Sequence, residues 1–330
     1  LSEVTTGYPV WTQRLQQYSD CHAVEFAYWQ GQANVPVSLP CDFPEGSNST
    51  FNHTRITARL DQTRTQALLK DAPVAYRTQV NDLLLTALGS ALCQWSGHQK
   101  ILVNLEGHGR EDLYPDIDLS RTIGWFTTLF PVILDPSGDL SQRIKRIKES
   151  LRQIPSKGLG YGLFKHYGTA AQRQIIHGLP KAQVVFNYLG QFDSSFGEQA
   201  PWMLADEALG DLMDHDVNQQ HDLSINSYIY SGELCLEVNY SEVRYAKTAI
   251  EAFVESLLIE LKAIIDHCGR GVRGVTPSDF PLVQLTQDEL DDLPIPVEQL
   301  EDLYPLSPMQ TGMQLYSVSH HNGGLYLNQL

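Results

Sequence analysis

Strand-like and helix-like hydrophobic spacings alternate along this chain, and this alternation constrains the fold more than any other feature. Apolar residues recur at every second position over residues 101 to 106 and 222 to 240, as they do in half-buried strands. They recur at helical spacing over residues 80 to 95, 140 to 154 and 250 to 265. A chain in which strands are separated by such helices is predicted to adopt an α/β fold.

Weaker patterns fill in the remaining elements. The expected order is a helix at 9 to 30, a loop at 35 to 53, a strand near 54 to 60, a helix from 61, a strand ending before residue 135 and a strand at 183 to 189. Within the segment 222 to 240, Ser231-Gly232 separates two alternating runs and therefore predicts a hairpin.

A carboxylate, an imidazole and a guanidinium surround two glycines in the run NLEGHGRE, residues 104 to 111. Because the preceding strand has a period of two, Asn104 and Glu106 share one face as the strand reaches its loop. A carboxylate that is partly shielded from water can have its pKa raised until it exchanges a proton near neutral pH. The run predicts either a proton-transfer site or, more simply, a solvated charged turn at a strand end.

An excess of acidic residues argues against two classes of partner. The 330 residues include 39 Asp and Glu against 23 Lys and Arg, which gives a formal net charge of -16. Because no Lys/Arg block interrupts this charge, we expect neither nucleic acid nor an anionic membrane as a partner. The length allows a sizeable core and more than one domain.

The cysteine pattern and the termini bear on cellular location. The five cysteines are far apart, with no CxxC pair and no His at ligand spacing, so we expect reduced thiols and no metal site. No segment has the length of an apolar membrane span, and the first residues lack the features of a secretion signal. These patterns favour a cytoplasmic protein. Since residue 1 is Leu, we interpret the chain as a piece of a longer polypeptide.

Five short motifs give the chain a resemblance to one family. They are NDLLLTALG at 81–89, EGHGRE at 106–111, RTIGWFTTLFP at 121–131, PSKGLGYG at 155–162 and FNYLGQF at 186–192. In this order they resemble the C-terminal lobe of an epimerization domain from a nonribosomal peptide synthetase. EGHGRE and FNYLGQ are the runs that separate epimerization domains from peptide-bond-forming condensation domains. Further on, LYPLSPMQ at 303–310 is similar to the start of a condensation domain.

The resemblance implies a fold and a domain order. The fold is a chloramphenicol-acetyltransferase-like α/β lobe, with a mixed sheet flanked by helices. The order is the C-terminal part of an epimerization domain (1–270), an acidic Pro-containing linker (271–302) and the truncated start of a condensation domain (303–330). The linker also follows from composition, because residues 276 to 302 are rich in Pro, Asp and Glu.

The resemblance further implies a reaction. The family inverts the Cα of an aminoacyl or peptidyl group that is held as a thioester on the phosphopantetheine arm of a carrier domain. By resemblance, Glu106 is one member of the acid/base pair, while Asn187 and Tyr188 orient the thioester or stabilise enolate charge. For Tyr188, the alternative is a ring buried in an apolar strand with its hydroxyl on any acceptor. The second member of the pair is a His in an HHxxxDG motif, which this sequence lacks.

The implied partners follow from this reaction. They are a peptidyl carrier domain, an upstream N-terminal lobe that carries the missing His, and a downstream condensation domain. No cofactor is expected to bind directly, because the substrate arrives on the phosphopantetheine of the carrier domain. We expect the fragment to be inactive without the N-terminal lobe.

Supporting roles are predicted for residues around these motifs. His108 and Arg110 should hold the loop that carries Glu106, although a purely structural ion pair is the alternative for Arg110. Gly124 and Trp125 should belong to the channel for the arm or the side chain, although aromatic residues after a glycine often belong to the core.

Three further groups are interpreted as non-catalytic. The run GLGYG at 158–162 lacks the spacing of a nucleotide-binding loop and is predicted to form a tight loop near the acceptor cavity. The pair His320-His321 is interpreted as a surface pair, because no Asp-Gly follows at the required spacing. A solvated loop, rather than a metal site, is predicted for Asp214, His215, Asp216, His221 and Asp222.

Two alternatives to an epimerase remain at the level of sequence. A condensation-type acyltransferase lobe would share the fold. A non-catalytic module would share the surface that docks carrier domains and would lack the proton-transfer activity.

Overall fold

The chain forms two compact units, Leu1–Val272 and Arg273–Leu330. The computed structural model describes residues 5–18, 22–32, 34–191, 214 and 216–319. The EGHGRE and FNYLGQ runs both lie in the first unit.

A mixed six-stranded sheet organises the first unit. Its strands are β1 (His53–Leu60), β2 (Ile101–Gly107), β3 (Thr128–Leu134), β4 (Val184–Gln191), β5 (Leu223–Tyr230) and β6 (Glu233–Ser241). They are ordered β1-β6-β5-β4-β2-β3, with β4 parallel to both β2 and β5 and the other neighbours antiparallel. The parallel contact places the end of β2 beside the FNYLGQ run of β4.

Helices connect and cover these strands. The described α-helices of the first unit are α1 (Tyr8–Gln16), α2 (Ala23–Gln30), α3 (Gln62–Gln66), α4 (Ala72–Tyr76), α5 (Val80–Ser96), α6 (Leu140–Arg152), α7 (Leu159–Tyr167), α8 (Ala170–Gly178) and α9 (Lys247–Cys268). A π-helical turn at Ala67–Asp71 joins α3 to α4, and 3-10 turns occur at Thr50–Asn52 and Pro155–Gly158. None of the helices in the described part of the chain is long and apolar enough to cross a membrane.

Local signals explain where several elements begin and end. In α5, Gln79 and Asp82 form a capping box, and Gly97 ends the helix with a φ of 73°. In the hairpin of β5 and β6, Ser231 and Gly232 have φ angles of 53° and 74°, as a two-residue turn with a right-handed strand twist requires. Pro131 is tolerated in β3 because β3 is at an edge of the sheet.

The main core lies on one face of the sheet. Alternate strand residues such as Val103, Leu105 and Phe186 belong to it, together with the apolar stripes of α5 and α9. Residues of the opposite alternation, including Asn104, Glu106 and Asn187, are partly or largely exposed. The core therefore fixes the strands while polar side chains reach the other face.

Two predicted elements differ from the structure. The single helix expected at 9 to 30 is instead α1 and α2, because the buried Tyr18 between them hydrogen-bonds to Glu25 and Ser156 and stacks on His22. The GLGYG run is not a loop throughout, since α7 begins at Leu159 immediately after Gly158.

The second unit has a small core of its own. Its described helices are α10 (Gln287–Asp291) and α11 (Pro308–Ser319), with 3-10 turns at Pro277–Asp279 and Val297–Gln299. The buried side chains are Val275, Phe280, Leu290 and Leu300. Thr286 and Glu289 form a capping box at the start of α10.

Candidate active site

Glu106 and Asn187 are brought together by the parallel pairing of β2 and β4. In that register Leu105 lies beside Phe186, so the next residue of each strand falls on the same face. The side-chain amide of Asn187 donates a hydrogen bond to Oε2 of Glu106, with a distance of 2.8 Å from Nδ2. The amide thus fixes the carboxylate at the end of its strand.

The environment of Glu106 changes its affinity for a proton. The side chain is exposed along part of its length, yet partial burial of the carboxylate raises the pKa of Glu106 above its usual value. The cause is desolvation, which disfavours the charged form. A carboxyl with a raised pKa can act as base or acid closer to neutral pH than an ordinary glutamate.

A pocket opens beside this carboxylate. Its volume is about 470 Å³. It is lined by Gln79, Asn81, Asp82, Leu105, Glu106, Phe130, Leu151, Arg152, Ile154, Lys157, Phe186 and Tyr188. The strand ends of β2 and β4, the start of α5 and the end of α6 therefore meet at one cavity.

Tyr188 contributes to the pocket from the other face of β4. As the neighbour of Asn187 along the strand, its side chain points to the opposite side of the sheet. Burial raises the pKa of the Tyr188 phenol, so the hydroxyl stays protonated at neutral pH and is able to donate a hydrogen bond. Asn187 contacts Glu106 directly, whereas Tyr188 lines the cavity.

The loop after Glu106 is held by Arg110. Its Nη1 donates to the backbone oxygen of Leu119 at 2.6 Å, and its Cζ lies 4.0 Å from the ring centroid of Phe126. Gly109 has a φ of 65°, and a Cβ there would lie 1.7 Å from the backbone oxygen of Phe126. The Arg110 side chain thus contacts the backbone carbonyl of Leu119 and the ring of Phe126, rather than the carboxylate of the ion pair that was considered as the alternative.

The Glu111 carboxylate contacts two basic side chains near this loop. Its Oε1 lies 3.3 Å from Nε2 of His108, and its Oε2 lies 2.9 Å from Nζ of Lys157. Because the Glu111 side chain is only 8% exposed, Lys157 compensates its charge and ties the loop to the turn at Pro155–Gly158. The contact between His108 and Glu111 thus lies within the loop that follows Glu106.

Sequence reasoning missed the ion pair at the far side of the pocket. Arg152 donates to both carboxylate oxygens of Asp82, at 3.0 and 2.7 Å, and Asp82 is buried. Asp82 lies in the NDLLLTALG motif, where only its role as a helix cap is visible locally. No sequence pattern links it to Arg152, which lies 70 positions further on.

Gly124 and Trp125 were predicted for the channel but do not line this pocket. The Trp125 side chain is 80% exposed, and its backbone oxygen accepts a hydrogen bond from the Tyr8 hydroxyl at 2.6 Å. A Cβ on Gly124 would lie 2.4 Å from the ring of Tyr8. Gly124 therefore makes room for Tyr8, and Trp125 lies on the surface.

The polar residues considered for a metal site have separate contacts. His221 accepts a hydrogen bond from the Asn104 amide at 2.8 Å, and burial lowers the pKa of His221. Asp222 pairs with Arg244. Among the described residues, no group of three or more His, Cys, Asp or Glu is placed to hold a metal ion. His215 and the pair His320-His321 lie outside the described residues.

Sequence comparison gives one family match and several long relatives. The model of the family described as "Condensation domain" matches residues 1–281. Gramicidin S synthase 1 of Brevibacillus brevis is 36% identical over 89% of this chain, which spans 28% of that protein. Bacitracin synthase 3 of Bacillus licheniformis is 33% identical over 98% of this chain, which spans 5% of that protein. The chain thus corresponds to a small part of these relatives.

Solved structures that are similar to this chain include an epimerization domain and a condensation domain. The epimerization domain from the third module of tyrocidine synthetase B has a TM-score of 0.74 and 35% identity, with 81% of this chain and 61% of that chain covered. The condensation domain of the monacolin K polyketide synthase has a TM-score of 0.61 and 16% identity, with 80% and 62% covered. The second match shows likeness of fold alone.

Proposed function

Since this chain belongs to the condensation-domain family found in nonribosomal peptide synthetases, we propose that it takes part in L-to-D epimerization of a carrier-bound aminoacyl or peptidyl thioester. Its fold is of the condensation/epimerization type, related to chloramphenicol acetyltransferase, as the motifs predicted. The observation that carries the proposal is the Glu106 carboxylate, held by Asn187 at the rim of the pocket with a raised pKa.

The proposed step is proton transfer at the carbon next to the thioester carbonyl. In one direction of the reaction, Glu106 removes the α-proton from one face of Cα. In the reverse direction, it delivers a proton to the same face. The hydroxyl of Tyr188, protonated because burial raises its pKa, is available to stabilise the enolate oxygen. Asn187 orients the carboxylate. The group on the opposite face is proposed to be the His of an HHxxxDG motif on an upstream lobe.

The proposed setting is a multidomain synthetase. Residues 1–270 form the C-terminal part of the epimerization domain, 271–302 connect it onward, and 303–330 begin a condensation domain. The phosphopantetheine arm of a peptidyl carrier domain brings the substrate to the site. Support comes from the 35% identity to a solved epimerization domain and from the length of the curated relatives.

Condensation-type acyl transfer is the second candidate, and the family description favours it. Such a domain would form an amide bond between two carrier-bound substrates. It would not need a carboxylate with a raised pKa at the position of Glu106. The two candidates therefore differ in a product that can be measured.

The test joins this chain to the proposed His-bearing lobe and supplies a carrier domain loaded with an L-aminoacyl thioester in deuterated water. Epimerization predicts deuterium at Cα and a mixture of D and L residues after hydrolysis of the thioester. With this chain alone, no deuterium should be incorporated at Cα of the aminoacyl group. Amide-bond formation with a second loaded carrier domain, without label at Cα, would favour the acyltransferase instead.

A further inference from the structure

The pocket beside Glu106 has a largely apolar wall. Five of its lining side chains are hydrocarbon or aromatic, and they come from β2, β3, β4, the end of α6 and the segment just after it: Leu105, Phe130, Leu151, Ile154 and Phe186. Three more, Gln79, Asn81 and Tyr188, are polar and uncharged. Such a surface stabilises an apolar group through burial and tolerates a hydroxyl or an amide at its end.

Both cations of the pocket are already paired. Arg152 is bound in a two-pronged contact to Asp82, whose oxygen Oδ2 also accepts from the backbone N–H of Gln79 at 2.8 Å. Lys157 is bound to the buried Glu111 at 2.9 Å. A charged group that entered the pocket would have to compete with one of these pairs or give up its hydration.

The pocket is also correctly placed with respect to Glu106. Leu105 lines it from the core face of β2, and the side chain of the next residue, Glu106, leaves the strand on the opposite face. Glu106 itself contributes to the rim. The Glu106 side chain and the mouth of the cavity therefore lie together at the end of β2.

We propose that this pocket binds the side chain of the residue whose Cα is inverted, and that it selects neutral, predominantly apolar side chains. The inference rests on the proposed epimerase function and extends it to a substrate class. A volume of about 470 Å³ leaves room for an aromatic side chain. Aspartyl and lysyl thioesters should be poorer substrates than phenylalanyl or leucyl thioesters.

The experiment narrows the pocket and measures selectivity. Leu151→Trp fills part of the cavity from α6, and Ile154→Phe does so from the following turn. Ile259→Trp, on the exposed side of α9, is the matched control. Each variant is made in the polypeptide joined to the His-bearing lobe. The rate of α-deuterium uptake gives kcat/KM for phenylalanyl and alanyl carrier thioesters.

The expected result is a change in the ratio of kcat/KM for the phenylalanyl thioester to kcat/KM for the alanyl thioester. In Leu151→Trp and Ile154→Phe, the phenylalanyl-to-alanyl ratio of kcat/KM should fall by about tenfold, since a pocket contact of this kind discriminates by such factors. Ile259→Trp should keep the wild-type ratio. Circular dichroism of each variant establishes that it is folded.

Two results would overturn the inference in different ways. Equal loss for both thioesters in both pocket variants would mean that the cavity does not bind the side chain, while the epimerase function would stand. Absence of deuterium uptake by the unaltered joined polypeptide with every thioester would contradict the epimerase function, and the side-chain pocket would fall with it.

Discussion

The carboxylate of Glu106 is subject to two opposing effects on its pKa. Partial burial raises the pKa, and the hydrogen bond from the Asn187 amide stabilises the charged form and so lowers it. The net direction is upward. Loss of the Asn187 amide should therefore shift the pKa of Glu106 in the same direction as desolvation.

Replacing Asn187 by Ala should raise the pKa of Glu106 further, because the charged carboxylate loses its amide donor. The measurement is an NMR titration of the Glu106 side-chain carboxyl carbon in this chain. Asn226→Ala is the control, since Asn226 is the neighbour of Asn187 in β5 and the Glu106 hydrogen bond is made by Asn187. A pKa in Asn187→Ala at or below that of the wild type would contradict this account of the pair.

The same residues show what sequence could predict about the site. The period of two placed Glu106 at a strand end, and the motif resemblance placed Asn187 and Tyr188 near it; the structure shows Asn187 in contact with Glu106 and Tyr188 in the adjoining pocket. Trp125 was predicted for the channel and lies outside this pocket; the contact of its backbone oxygen with the Tyr8 hydroxyl joins residues that are 117 positions apart. Local patterns carry no information on such distant contacts.

At the level of elements, α5 and α6 were both predicted from their apolar stripes. Their contact at the pocket was not, since it depends on the pair formed by Asp82 and Arg152. Asp82 also receives the backbone N–H of Gln79, so one carboxylate caps α5 and holds the last turn of α6. The pair thus defines one wall of the cavity.

Asp82→Ala should lower the free energy of unfolding by about 3 kcal/mol, because it leaves Arg152 without its buried partner. The side chain of Arg152 is 31% exposed, which keeps the expected loss near the lower end for buried pairs. Urea unfolding followed by tryptophan fluorescence measures it. As control, Glu260→Ala removes the partner of Arg143 in a more exposed pair and should cost less than about 1 kcal/mol. Equal losses in the two variants would count against the structural role of Asp82.

On the scale of the whole molecule, the two units differed in how well sequence predicted them. The alternation of strands and helices identified the first unit as α/β, and the motifs identified its fold family. Residues 276 to 302 were interpreted from their Pro and acidic content, whereas the structure packs Phe280, Leu290 and Leu300 into a small core. Sparse apolar residues without a regular period are not recognised by either spacing rule.

The account of the molecule depends on proton transfer by Glu106. The most direct measurement is the rate of α-deuterium uptake by a carrier-bound aminoacyl thioester, with this chain joined to the proposed His-bearing lobe. Glu106→Gln keeps the shape of the side chain and removes its acid/base group, and Glu255→Gln on the exposed side of α9 is the matched control. We predict that deuterium uptake is slower by about 100-fold or more in Glu106→Gln and unchanged in Glu255→Gln. Uptake by Glu106→Gln at the wild-type rate would contradict the central claim.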